Sequence, residues 1–175
     1  MIPWALAAAS LVTRKQAGDT SNPIEMLSFA RALREDVLLY AGIEILHIIG
    51  LAILVGSIVM FDLRVLGLSK AISVRALRRL LIPWTLAALV VIVPTGFLMF
   101  SAHASDLIAN RAFQVKMALL MTAGINAAIF HTGPYQSVAA WDTNATAPLG
   151  ARASVAFSIL VWFSIVACGR LLAYL

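Results

Sequence analysis

Apolar positions gather into four long, nearly uninterrupted runs, about 37–61 (VLLYAGIEILHIIGLAILVGSIVMF), 80–100, 112–132 and 153–174. Short segments rich in charge, proline and glycine separate them. Each run reaches the roughly 20 residues an α-helix needs to cross about 30 Å of hydrocarbon. Continuous apolarity, rather than alternation with a period of two, argues against the strands of a membrane barrel. Helices satisfy their own backbone groups in lipid, so the pattern predicts an all-α polytopic membrane protein. A four-helix transmembrane bundle is expected over 37–175, preceded by a surface segment over 1–36.

The polar stretches refine this plan. MIPWALAAASLV at the start has no basic residue before it and is followed by Arg14 and Lys15, the reverse of a secretory signal, so it predicts a segment retained at the membrane surface. Asn22, Pro23 and Glu25 have the order of an N-cap, first helical residue and N3 carboxylate. Beyond them Ile24, Leu27, Phe29 and Leu33 oppose Arg31, Arg34, Glu35 and Asp36, which predicts an amphipathic helix in the headgroup plane.

Between the first and second runs stand Arg64, Lys70, Arg75, Arg78 and Arg79, with Ile72, Leu77 and Leu80 spaced for another amphipathic turn on headgroups. The last connection carries Trp141, a residue suited to the interface, and its Asn144 opens an N-x-T triplet that chance explains. Pro94 predicts a kink in the second span, and Gly42, Gly50 and Gly56 permit close helix packing in the first. Basic residues nearly balance across the bilayer and tip the orientation toward a cytoplasmic 62–79 connection with both termini outside.

Composition removes whole classes of function. With 62% hydrophobic and 12% charged residues, and a mean hydropathy of +0.94, the chain is not a water-soluble domain. Its +5 formal charge flanks apolar runs instead of forming a base-reading face, so anionic membrane lipids, and not nucleic acid, are the expected partners. Cys168 is alone, and no phosphate-loop, zinc-protease or nucleophile-elbow pattern occurs.

Candidate chemistry lies in the polar residues inside the spans, because ionisable groups there need a partner, a cavity or a function. Measured from the span midpoints at about 1.5 Å per residue, Glu44, Lys116 and Arg170 fall roughly 7–11 Å toward the termini. That common depth predicts a cluster in which Glu44 compensates one or both cations, although Lys116 and Arg170 are also placed to snorkel. Glu44 and His47 share a helix face in an ExxH spacing, but the further carboxylates of a di-iron site are missing.

His47 is the candidate ligand for haem iron, with His131 the weaker second candidate and His103 a loop residue. Each of the other two histidines lies about 15 Å from His47 in depth, on opposite sides, which disfavours a bis-histidine haem. Haem b on His47, or a quinone, is the expected cofactor, with Lys116 and Arg170 meeting propionates or the quinone head. Asn126, Ser154, Ser158 and Ser164 can bond across helices, and Trp162 is core, lipid-facing or a pocket wall. Asp62 and Arg64 are placed for a cap or ion pair. The termini-side half is thus expected to be polar and the other half nearly all aliphatic.

The functional expectation is a small integral membrane subunit or cofactor-anchoring module without independent catalysis. A purely structural accessory subunit of a larger complex, a homo-oligomer, or a small transporter is the alternative.

HIIGLAILVGSIVMFDLRVLGL from His47, FQVKMALLMTAGINAAIFH from Phe113 and SILVWFSIVACGRLLAYL from Ser158 together resemble a family of uncharacterised bacterial membrane proteins, domain of unknown function 6644. Its marks are Glu44, His47 and Gly50, Asp62 with Arg64, Lys116, Asn126 with His131, and the pairs at Gly169–Arg170 and Ala173–Tyr174. The resemblance runs from about Pro23 onward. It implies a four-helix fold in the bacterial inner membrane and no particular activity.

Overall fold

The computed structural model describes residues 23–171, so the first segment and Asn22 at one end, and Ala173 and Tyr174 at the other, lie outside the described residues. The elements are helices α1 (Ser28–Glu35), α2 (Val37–Leu66), α3 (Val74–Ala102), α4 (Ala104–Ala109), α5 (Arg111–Thr132) and α6 (Leu149–Leu171), with a 3₁₀ helix over Pro134–Ala140. No strand is present among the described residues. Four helices, α2, α3, α5 and α6, are long and apolar enough to cross a membrane. The chain is a multi-pass, all-α membrane protein.

The helices run past the ends of the apolar runs. α2 continues through Asp62 and Arg64, and α3 begins at Val74, because the charged residues there turn inward and local caps hold the backbone. Asp36 caps α2 through the Leu38 and Leu39 amides, and Ser73 caps α3 through the Ala76 amide. Asn110 does the same for α5 through Ala112 and Phe113. The connection between α2 and α3 therefore shrinks to 67–73, and Gly67, with φ of 120°, makes the left-handed exit from α2. Pro83 and Pro94 both lie within α3, which remains one continuous helix.

Two expectations near the amino terminus are corrected. Pro23 and Glu25 do not open the helix: α1 starts at Ser28, and Glu25 is buried, accepting a hydrogen bond from the Ser105 amide at 2.6 Å. Nor does α1 lie free in the headgroup plane. Its Ala30 and Leu33 are buried against the bundle, and Arg34 donates to the Ala102 carbonyl at the end of α3 and to the Glu25 carbonyl. A helix-terminal carbonyl is a favourable partner for a cation, which explains why a short basic helix docks at this end.

Packing follows the order α3–α2–α6–α5. α2 lies along both α3 and α6, and α5 lies along α6, whereas α3 and α5 have at most marginal contact among the described residues. The bundle therefore has a seam between α3 and α5, bridged toward the termini by the stacked rings of Phe100 and Phe113. The main buried core sits at the end away from the chain termini and joins Val65, Val74, Phe130, Val138, Trp141 and Val155. Trp141 is not an interfacial anchor: it is buried, with its indole N–H donating to Ser137 at 3.0 Å. Burial satisfies its apolar body, and the local 3₁₀ turn supplies its one acceptor.

Candidate functional site

The expected polar cluster toward the termini is only partly assembled. His47 is half-buried on α2, with Nδ1 2.8 Å from Thr95 Oγ1 on α3. The Thr95 hydroxyl donates to the Val91 carbonyl at 2.7 Å, so it receives the bond from His47 and fixes the proton on Nδ1, leaving Nε2 as an acceptor. Gly96 makes the approach possible, since a Cβ there would stand 3.1 Å from the imidazole Cε1. Lys116 Nζ lies 3.8 Å from the Cβ position of Gly169 on α6.

Glu44 is not in this group: it is exposed on α2 and forms no ion pair with Lys116 among the described residues. Arg170 is exposed near the end of α6. His103 pairs edge-on with Tyr40 beyond the end of α3, and no three His, Cys, Asp or Glu side chains converge as a metal site among the described residues.

The opposite half is the richer one, against expectation. A cavity of about 400 Å³ lies between all four spans and is lined by Asp62, Arg78, Thr85, Asn126, His131, Ser154, Ser158 and Trp162 among aliphatic and aromatic neighbours. Its size is that of a small-molecule site. At the seam, Ile82 and Leu89 on α3 and Gly124 and Ala127 on α5 line the cavity and are exposed, so it opens sideways toward the bilayer. The polar lining gathers within about three turns of the helix ends, and the deeper wall is Leu54, Leu89, Leu120 and Trp162.

Polar satisfaction separates scaffold from site. Asn126 and Ser154 close on each other: the amide donates to the Ser154 carbonyl at 3.1 Å and the Ser154 hydroxyl donates to Asn126 Oδ1 at 2.9 Å. Arg64 is buried and donates to the carbonyls of Ile72, Lys70 and Asp142, tying the two connections together. It forms no ion pair with Asp62, its Nε and Nη2 being turned to those carbonyls.

Asp142 completes this clamp by accepting from Ser73, from the Arg75 amide at 2.9 Å and from the Arg75 guanidinium at 3.2 Å. Burial raises the Asp142 carboxyl, but the bonds from Arg75 and Ser73 outweigh it and hold the group below the usual carboxylate range.

Three buried polar atoms among the described residues remain without a partner: Glu25 Oε2 toward the termini, and two on residues that line this cavity. Asp62 is 4% exposed, with the Ser158 hydroxyl on one side of its carboxyl and Oδ2 without a hydrogen-bond partner. Arg78 stacks its guanidinium 4.9 Å over the Tyr135 ring, yet its buried Nε has no acceptor. Buried atoms of this kind cost free energy unless something meets them. His131 stands at the mouth, edge-on to Phe130 and Tyr135 and within electrostatic reach of Arg78. The residue list alone named Asn126 and His131 in this region but missed Arg78, which hydropathy assigns to a loop.

This chain belongs to a family of unknown function (DUF6644), whose model matches residues 36–175. The match spans the four membrane helices and the cavity and leaves out α1. No curated protein matches the chain, and no solved structure matches it.

Proposed function

We propose that this protein is a ligand-binding membrane module of the bacterial inner membrane that receives an amphiphilic molecule from the bilayer through the α3–α5 seam. The carrying observation is the 400 Å³ cavity, whose wall joins the Asp62 carboxyl and the Arg78 guanidinium near the helix ends to a deeper aliphatic and aromatic lining. A polar head would sit beside them near the interface, and an apolar body would follow the deeper aliphatic wall. Haem b on His47 has less support, because His47 does not line this cavity and no second ligand stands beside it among the described residues.

Gly124 gives a direct test. It lines the cavity, and a Cβ added there meets nothing within 4 Å, so Gly124→Phe starts its side chain in open space and places a ring at the mouth. Native mass spectrometry of protein released from lipid nanodiscs should show wild type retaining one small amphiphile that Gly124→Phe loses. Identical adducts on both proteins, or none on either, would count against the reading.

An accessory-subunit role is favoured by a different observation. Glu44 is exposed on α2 about 10 Å from its start, where an uncompensated carboxylate costs a few kcal/mol in lipid. A neighbouring subunit offering a donor would offset that cost. Gentle extraction followed by native mass analysis should then reveal a stable companion that Glu44→Ala releases, and a uniformly monomeric chain would exclude it.

A further inference from the structure

Resting on the amphiphile reading, we propose that the cavity takes a single-chain amphiphile with an acidic head, a carboxylate or phosphate held at the mouth by Arg78 and His131. Arg78 carries the selectivity. Its guanidinium is a fork of N–H donors, and no side chain or carbonyl among the described residues accepts from it. Nε is sealed off, whereas Nη1 and Nη2 keep accessible surface beside the Tyr135 ring, on a residue that lines the cavity. His131 lies within electrostatic reach, is exposed at the mouth, and has ring nitrogens that bond to no described residue. An oxyanion offers several acceptors to such a group, and its bonds are charge-assisted. A hydroxyl head offers less, and a cationic head meets its own sign.

The surroundings favour the same sign. This end of the bundle carries Arg64, Lys70, Arg75, Arg78, Arg79 and Arg152 against only Asp62 and Asp142 among the described residues. Asp142 is paired with Arg75. Asp62 also lines the cavity, but it is 4% exposed and has the Ser158 hydroxyl of α6 at its carboxyl, so it shows little surface to a head held by α3 and α5. Below the mouth, Thr85 is bonded to the Leu81 carbonyl, and Asn126 and Ser154 to each other. Arg78 and Leu89 on α3, like His131 and Leu120 on α5, bound the cavity at levels about 16 Å apart, a depth suited to one acyl chain.

Photolabelling of the full chain in phosphatidylcholine nanodiscs tests this, with dodecanoate carrying a diazirine near its chain end. The label should mark residues within 120–127 and 154–162. Unlabelled dodecanoate or dodecyl phosphate should displace it at a concentration roughly tenfold below that needed by dodecanol or dodecyltrimethylammonium. Whichever acid displaces better identifies the source, a free acyl acid or a phosphate lipid. Arg78→Gln should abolish the preference for acid over alcohol, and Arg78→Lys should keep part of it. The wild-type competition stands without either variant. If dodecanol displaces as well as the acids, with the label confined to the cavity and blocked by Gly124→Phe, the acidic head fails and the amphiphile reading stands. Best displacement by dodecyltrimethylammonium does the same and assigns the head to Asp62. A label scattered over the lipid-facing helices of wild type overturns both.

Discussion

The two ends of this bundle use polar residues in opposite ways. Toward the termini, His47, Thr95 and Gly96 make a local bond between adjacent helices, and Glu44 faces outward. At the other end Arg64 and Asp142 tie the two connections together with three or more bonds each, and beside them Asp62 and Arg78 keep an atom each without a partner. The contrast teaches that neither intramembrane charge nor an unmet atom by itself marks a site. Glu25 also keeps a buried oxygen unmet toward the termini, and of the three residues Asp62 and Arg78 are the ones that line the cavity.

The strongest way to break this comparison is Arg64→Ala. It strips three carbonyls of their donor in a buried setting and should cost more than about 3 kcal/mol, with Arg64→Lys recovering little because an ammonium cannot reach all three. Thermal unfolding in detergent checks it; a loss no larger than that of Thr95→Val, which removes one helix–helix bond, would erase the distinction between the two ends.

Gly50→Ala comes next. The new Cβ would lie 2.8 Å from Ile92 Cγ1, so the Ile92 side chain must shift or α2 and α3 move apart, at about 1–3 kcal/mol. Gly56→Ala, with nothing within 4 Å, is the matched control and should leave the midpoint nearly unchanged.

Asp142→Asn sharpens the clamp side through pH. Because the bonds from Arg75 and Ser73 hold the folded carboxyl below the usual carboxylate range, its contribution is fully present above that range and fades as pH falls through the folded pKa. Wild type should lose stability between pH 6 and pH 3 that Asp142→Asn does not lose. Parallel pH curves for the two proteins would show that Asp142 is not a stabilising anion.

The smallest effect is expected from Asn126→Ala. Its reciprocal pair with Ser154 crosses from α5 to α6, and such bonds within membranes contribute about 0.6 kcal/mol. A loss above about 2 kcal/mol would mean that Asn126 belongs to the clamp and not to the wall of the cavity.

Much of the fold was legible because its determinants are local. Length and apolarity define the four spans, and Glu44, His47, Lys116 and Asn126 stand out as polar residues in apolar runs. Hydropathy could not tell that Asp62 and Arg64 continue α2, since a charged residue near a span end looks the same whether it turns to water or inward. Trp141 and Glu25 were misplaced for the same reason, as composition carries no information on which neighbour a side chain meets.

The sequence by itself determined that this is a four-span helical membrane protein of its family, because bilayer thickness and backbone satisfaction act on contiguous residues. Only the tertiary structure decided which polar residues meet. Helix rotation and the order α3–α2–α6–α5 bring Asp62, Arg78 and Ser158 from three helices around one cavity and send Glu44 outward. Depth along a span follows from counting residues, whereas facing depends on the packing of every helix against the others.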